Sequence, residues 1–198
     1  MKRNFDFSID EYYHLYNRGT DKRIIFIDDH DYRRFIILLF LCNGTTAVDI
    51  AKHFREGKSF QDLWTIDRGE TLLNIGAYCL MPNHFHLLVR EKKENGISSF
   101  MHRLLTSYSK YFNKKQTRTG SLFEAKFKAQ HADYDEYLKY LFSYIHLNPI
   151  KLKFPDWKEK TDFPREKAEE FLKNYEYSSF ATYHDPRNKD LILEKSAF

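Results

Sequence analysis

Cysteine is scarce in this chain, which has two among its 198 residues. Cys42 and Cys79 lie far apart, and neither has a second cysteine at the C-x-x-C spacing of a zinc ribbon. A zinc ribbon is therefore not expected. Both cysteines lie in apolar surroundings, which predicts reduced core side chains in a cytosolic protein.

Long apolar runs are also lacking. The longest, residues 35–42, is far too short to span a bilayer, and the N-terminal Met-Lys-Arg-Asn-Phe-Asp lacks the apolar core of a signal peptide. Glycine is sparse as well, with 7 residues in an otherwise globular composition. We therefore expect a soluble, cytoplasmic protein with one well-packed domain and a small appendage.

A strong excess of one charge is absent too, since the net charge is only +4. The distribution says more, because residues 96–153 carry ten Lys and Arg against four Asp and Glu. This basic segment fits the handling of a polyanion, although a solvated helix surface would have the same composition. Aromatic residues are abundant, with 18 Phe and 14 Tyr, and they suit both core packing and stacking on unpaired bases.

The order of predicted elements is strand, helix, strand, strand, helix, strand, helix. The first six spell a ferredoxin-like, split βαβ arrangement, an α+β fold with an antiparallel sheet and helices on one face. The seventh is an extra helix that begins at Asp133 or Asp135 and ends before Pro149. The predicted ranges are strand 12–19, helix 32–41, strands 72–80 and 84–90, strand 122–131 and the last helix. The acidic Asp28 and Asp29 favour a helix N-terminus just before residue 32. Gly96 is predicted to break the chain before another helix, which runs up to Lys114 and Lys115.

Two stretches fall outside this core pattern. Residues 43–70 are polar and are predicted to be an irregular insertion with one short helix near 47–55. Residues 154–198 are charged with an aromatic cluster, which predicts a helical tail packed on the domain of residues 1–153.

Two histidines occupy alternate positions at the start of a predicted strand. Residues 81–86 read Met-Pro-Asn-His-Phe-His, so His84 and His86 share one face of the strand while Phe85 points to the other. Two neutral imidazoles on one face can chelate a divalent cation. Such a pair can also be a packing feature, and spacing alone leaves that interpretation open.

The extra helix places a tyrosine and an asparagine on one face, because residues four apart lie one above the other. Tyr144 and Asn148 have this spacing, with Tyr140 one turn earlier. Asn148 would offer a carbonyl oxygen as a third ligand, and oxygen ligands suit Mg²⁺ or Mn²⁺. A phenol beside such a metal can attack a phosphodiester. Spacing does not exclude Tyr140 as the nucleophile, whereas His146 faces another side of the helix.

With these motifs in this order, the chain resembles the REP-associated tyrosine transposases, within the single-tyrosine HUH superfamily of insertion-sequence transposases. The resemblance covers about residues 12–185, and its most specific motifs are Met-Pro-Asn-His-Phe-His and Tyr-Ile-His-x-Asn-Pro. The matching stretches are 16–19, 25–26 with 28–32, 77–88, 111–113, 120–123 with 127–128, 144–149 and 177–180.

The resemblance implies a role for each residue of this set. His84 and His86 match the metal-binding pair, Tyr144 matches the nucleophile, and Asn148 matches the helix position that completes the metal site. The implied activity is a nick in single-stranded DNA that leaves a 5′-phosphotyrosine and a free 3′-OH, followed by strand transfer. Recognition of a DNA hairpin is also implied, and both a monomer and a homodimer stay open.

Basic side chains near these elements are candidate contacts to DNA phosphates, which set affinity and salt dependence rather than sequence choice. The candidates are Arg18, Arg103, Lys110, Lys114, Lys126 and Lys128. Each one is also consistent with an ordinary solvated surface.

Two alternative functions stay open. One is a domesticated DNA-hairpin-binding protein without turnover, which would need none of His84, His86, Tyr144 and Asn148. The other is a metal-dependent phosphodiesterase in which Tyr144 is only structural. A covalent intermediate separates the transposase chemistry from the second alternative.

Overall fold

Four strands form one antiparallel sheet in the order β2-β3-β1-β4. They are β1 (Tyr12–Arg18), β2 (Leu73–Met81), β3 (His84–Glu91) and β4 (Lys128–His131). The structure is a computed structural model that describes residues 6–159, 162–185 and 190–198. This strand order is the ferredoxin-like one, so the predicted fold class is confirmed.

The helices follow the predicted sequence of elements, with further short helices toward the C-terminus. They are α1 (Asp29–Cys42), α2 (Ile50–Arg55), α3 (Gly96–Lys115), α4 (Asp135–Leu147), α5 (Ile150–Lys153), α6 (Arg165–Lys173) and α7 (Phe180–His184). Within the described residues, no helix is both long enough and apolar enough to cross a membrane.

The sheet buries both faces, each against different helices. Side chains alternate across a strand, so Phe85 and Leu87 of β3 face the main core with Phe35 of α1 and Tyr108 of α3. The main core therefore lies between the sheet and the α1–α3 layer.

The opposite face of the sheet packs on α4. Cys79 of β2 and Leu88 of β3 meet Leu141 and Ile145 of α4 in a second apolar cluster. The extra helix α4 thus lies on the sheet face that also carries His84 and His86 of β3. This arrangement brings the residues of the predicted site together.

Two helix starts have identifiable causes. Asp28 caps α1, because its side chain accepts a hydrogen bond from the backbone N–H of Asp31. Gly96 was predicted to break the chain, but it is the first residue of α3. A Cβ at this position would lie 2.4 Å from the carbonyl oxygen of Leu72, so the close approach of these backbones requires glycine.

The sixth predicted element is shorter than expected. The sequence predicts a strand over 122–131, whereas β4 begins at Lys128. Upstream of it, the side chain of Asn17 donates hydrogen bonds to the carbonyls of Ala125 and Lys126, both at 2.9 Å. A side chain therefore takes the place of ladder hydrogen bonds there, so Lys126 lies outside the strand whereas Lys128 is its first residue.

Hydrogen bonds join the two ends of the insertion of residues 43–70. It contains α2 and a 3-10 turn at Gln61–Thr65. The buried side chain of Asn43 accepts hydrogen bonds from the N–H groups of Leu72 and Leu73 and donates one to the Leu73 carbonyl. The chain segments on either side of the insertion therefore lie next to each other.

The C-terminal residues contact the β2 side of the sheet. The hydroxyls of Tyr175 and Tyr183 donate to the carbonyls of Leu80 and Gly76, at 2.7 and 2.6 Å. These contacts hold the segment against β2, while the division into units at residue 153 stays a prediction.

Candidate active site

Neighbouring strands bring three imidazoles together on the α4 face of the sheet. In the register of β1 and β3, Tyr16 lies opposite His86 and Arg18 opposite His84. The ring centroids of His84 and His86 are 5.0 Å apart, and His14 Nε2 lies 2.8 Å from His86 Nδ1. The predicted pair thus shares a face, and β1 adds His14 beside it.

The Nδ1 atoms of both β3 histidines are engaged in hydrogen bonds. His84 Nδ1 lies 2.6 Å from the Asn83 side-chain oxygen, so it donates, while His86 Nδ1 bonds to His14. A proton held at Nδ1 leaves the Nε2 lone pair available for a cation. Partners of this kind fix the tautomer and the orientation of histidine ligands in metal sites.

Burial keeps these imidazoles neutral. It lowers the pKa of His14 to about 4. It also lowers the pKa of His84 to about 4, helped by the nearby charges of Arg18 and Lys151. The pKa of His86 falls well below its ordinary value for the same main reason. Neutral imidazoles at physiological pH are the form that binds divalent cations.

Tyr144 of α4 packs directly against the histidines. Its ring centroid lies 5.5 Å from that of His86 and 6.1 Å from that of His14. Tyr140, the competing tyrosine, stacks one turn away at 6.0 Å from Tyr144 and is 58% exposed. The geometry therefore favours Tyr144 as the phenol next to the predicted cation site.

Asn148 follows directly after α4, and its helical backbone angles continue the turn. The residue is only 2% exposed, and within the described part of the chain neither its side-chain oxygen nor its side-chain nitrogen makes a well-formed hydrogen bond. It lies close enough to His84 to raise the pKa of that imidazole against the larger effect of burial. An unsatisfied buried amide is costly, so its oxygen is suited to a cation beside His84.

Two histidines and one amide make a sparse metal site by protein standards. Among the described residues, no group of three or more His, Cys, Asp or Glu side chains is placed to hold a metal ion. A set of His84, His86 and Asn148 would leave several positions around Mg²⁺ or Mn²⁺ for oxygen atoms of a substrate or of water.

Lys151, which was not predicted as a site residue, lies on α5 next to the phenol. Its Nζ is 5.7 Å from the centroid of the Tyr144 ring. Tyr144, Asn148 and Lys151 have i, i+4, i+7 spacing, and this pattern would have indicated one face if the helical path had been expected to continue through Pro149. Proline is tolerated at the first turn of a helix, and Pro149 has helical angles at the start of α5.

A cavity of about 170 Å³ opens beside the phenol. It is lined by Tyr140, Tyr144, Asn148, Lys151, Trp157 and Lys158, among others. Two lysines and two aromatic rings besides Tyr144 suit an anionic, partly aromatic ligand such as a nucleotide. His14 was also missed, although its alternation with Tyr12 and Tyr16 in β1 placed it on this face.

The predicted DNA-contacting residues fall in different places. Arg18 lies at the site, since its charge lowers the pKa of His84 and its Nε is buried without a hydrogen-bond partner in the described chain. Lys128 lies over the ring of Tyr16, 5.9 Å from its centroid. Lys128 lies opposite Tyr16 and Arg18 lies opposite His84, so both basic residues are on the sheet face that carries the histidines.

The other predicted basic residues lie around α3. Lys110 and Lys126 line a groove of about 610 Å³ between α3 and residues 120–127. Lys114 lines another groove on α3. Arg103 donates through Nη1 to the Gly44 carbonyl at 2.6 Å, so part of its donor capacity anchors the insertion.

His146 lies apart from this constellation, as predicted. Its ring is buried, and its Nε2 lies 2.8 Å from Ser179 Oγ. Ser179 is in turn bonded to the backbone of Tyr78, so His146 joins α4 to the C-terminal segment and β2.

Comparison with known proteins places the site within a matched segment. Residues 68–148 match the family model described as "Transposase IS200 like", and this segment contains His84, His86, Tyr144 and Asn148. No curated protein matches the chain.

A solved structure shares the fold. It is described as a REP-associated tyrosine transposase bound to a REP hairpin, and it is 11% identical with a TM-score of 0.56, over 98% of this chain and 90% of that one. The family match and the shared fold confirm the resemblance predicted from the motifs.

Proposed function

We propose that this chain nicks single-stranded DNA and transfers the strand through Tyr144. The match of residues 68–148 to the IS200-like transposase model and the fold shared with a REP-associated tyrosine transposase support this proposal. The observation that carries the proposal is the packing of the Tyr144 ring, with centroids 5.5 Å apart, against His86 of the two-histidine, one-amide set. A structural tyrosine would need no such neighbours.

The residues of the site fit a divalent cation. His84 and His86 would bind Mg²⁺ or Mn²⁺ through Nε2, and Asn148 through its otherwise unsatisfied amide oxygen. A bound cation would supply Lewis-acid polarisation of the scissile phosphate. For His86 to bind through Nε2, its Nδ1–H must donate to His14, which makes His14 the residue that orients it.

Tyr144 supplies the nucleophile. Its phenolic oxygen attacks phosphorus, the bond from phosphorus to the 3′-oxygen breaks, and the phenol proton is released while the leaving oxygen becomes a 3′-OH. The product is a 5′-phosphotyrosine. A 3′-OH from another DNA end reverses the same exchange and frees Tyr144, so no external energy source is required. The Nζ of Lys151 lies 5.7 Å from the centroid of the Tyr144 ring, where its positive charge would attract the scissile phosphate.

The DNA partner is proposed to carry a hairpin. The structural neighbour is bound to a REP hairpin, which supports this choice of substrate. Arg18 and Lys128 flank the histidines from β1 and β4, where they would hold phosphates near the cut.

Metal-dependent cleavage of a labelled single-stranded DNA with a hairpin from the gene's own flanks tests this proposal. His84→Ala and His86→Ala should abolish cleavage, and chelation with EDTA should do the same to the unmodified protein. His102→Ala is the matched control, because His102 is exposed on α3 away from the site. Cleavage by His86→Ala without metal would overturn the metal site, and tight binding without cleavage would favour the domesticated binder.

A further inference from the structure

The groove that Lys114 lines is on the α1–α3 layer, which covers the sheet face opposite to Tyr144. It has a volume of about 760 Å³ and is formed by α1, α3 and α2 of the insertion. No acidic side chain among the described residues lines the groove. Five cationic side chains do, and they are Arg34, Arg55, Lys110, Lys114 and Lys115. The groove is therefore separate from the candidate active site.

Two of the five charges are already balanced. Arg55 lies 3.7 Å from Asp49, and Lys115 bonds to Asp28 and Asp31 at 2.8 and 2.7 Å. Arg34, Lys110 and Lys114 have no carboxylate within ion-pair distance in the described part of the chain. The groove thus keeps three uncompensated positive charges.

Arg34 is held in place between two aromatic rings. Its Cζ lies 5.1 Å from the centroid of Tyr111 and 5.6 Å from that of Phe54. Its Nε is buried without a hydrogen-bond partner among the described residues. A guanidinium stacked in this way loses little freedom when it binds, and its planar donors match the oxygens of a phosphate.

The insertion supplies part of this arrangement. Phe54 comes from α2, is 39% exposed and closes one side of Arg34. Lys110 and Lys114 are four residues apart on α3, so they lie on one face one turn from each other. Regularly spaced cations with an exposed aromatic ring are typical of surfaces that bind single-stranded nucleic acid.

We infer that this groove binds the phosphates of single-stranded DNA, with one phosphate at Arg34 and the neighbouring ones at Lys110 and Lys114. The inference rests on the proposed function for its choice of DNA as the ligand. It gives the insertion of residues 43–70 a function, since α2 completes the groove. It also lengthens the footprint of the protein on DNA beyond the nicking site.

The test is fluorescence anisotropy with a labelled, unstructured oligothymidine over a range of salt concentrations. Each lost phosphate contact on single-stranded DNA lowers the slope of log K against log salt by about 0.7. We expect a decrease of about 0.7 for Arg34→Gln and about 1.4 for Lys110→Gln combined with Lys114→Gln. Arg33→Gln is the matched control, because Arg33 is exposed on the same helix and pairs with Asp29, and it should leave the slope unchanged.

Two further measurements, anisotropy with a duplex probe and an assay for the tyrosine adduct, separate the competing explanations. The lysine variants change exposed side chains of α3, so they test the groove even if Arg34→Gln fails to fold. Unchanged slopes in folded variants would overturn the inference, and so would a decrease seen only with a duplex probe. Reduced slopes in a protein that forms no tyrosine adduct would support the groove and contradict the proposed nicking function instead.

Discussion

Replacing His146 with glutamine should make the fold less sensitive to acid. Burial lowers the pKa of His146 to about 4 from 6.5, so the unfolded chain takes up a proton before the folded one does. The stability that the neutral ring provides is complete above pH 6.5 and is lost as the pH falls toward 4. From about pH 8 to pH 5 this linkage removes about 2 kcal/mol from the free energy of unfolding.

Urea unfolding followed by circular dichroism at both pH values measures this loss. Glutamine places an amide where the imidazole Nε2 bonds to Ser179, and it does not titrate. His146→Gln should therefore lose about 2 kcal/mol less than the unmodified protein over this interval. His102→Gln, at an exposed position, is the control and should behave like the unmodified protein. Equal losses for His146→Gln and the unmodified protein would refute the reasoning.

Three further predictions follow from buried contacts. His14→Ala should weaken Mn²⁺ binding by about 10- to 100-fold in calorimetric titration, with partial recovery in His14→Gln, because the amide oxygen can still accept from His86; equal affinities for all three proteins would exclude an orienting role. Asn43→Ala should lower the free energy of unfolding by about 2–3 kcal/mol in urea titrations, since it removes the side-chain partner of both the N–H and the carbonyl of buried Leu73; a loss no larger than that of an exposed control such as Lys58→Ala would contradict this. Burial raises the pKa of Cys42 to about 12, so its thiol should react with Ellman's reagent only after unfolding, and rapid reaction of the native protein would show that the core opens.

The sequence predicted the fold well where one local signal decides an element. Alternation in β3 placed His84 and His86 on one face, and Asp28 marked the start of α1. The order of these elements was sufficient for the ferredoxin-like topology, because strand order in this arrangement follows from element order.

The predictions failed where a contact distant in sequence decides. The alternation over 122–131 is real, but the side chain of Asn17 captures the carbonyls of Ala125 and Lys126 and shortens β4. Gly96 resembles a helix breaker, yet the carbonyl of Leu72, on another segment, is what requires a glycine there. No local pattern contains either contact.

Only part of the candidate site could likewise be predicted from the sequence. Spacing brought Tyr144 and Asn148 onto one face, but only the packing of α4 on the sheet distinguishes Tyr144 from Tyr140. Lys151 lies beyond a proline that usually ends a helix, so the continuing helical path that places it beside Tyr144 was not expected.

The most direct test of the central claim is covalent capture on a denaturing gel. Labelled single-stranded hairpin DNA from the gene's own flanks would be incubated with Mg²⁺ and the unmodified protein, Tyr144→Phe or Tyr140→Phe. We predict an adduct with the unmodified protein and with Tyr140→Phe, and none with Tyr144→Phe, which should still bind the hairpin. An adduct that persists in Tyr144→Phe and disappears in Tyr140→Phe would move the nucleophile to Tyr140. Clean cleavage without an adduct in any of the three proteins would contradict a tyrosine nucleophile and favour the phosphodiesterase.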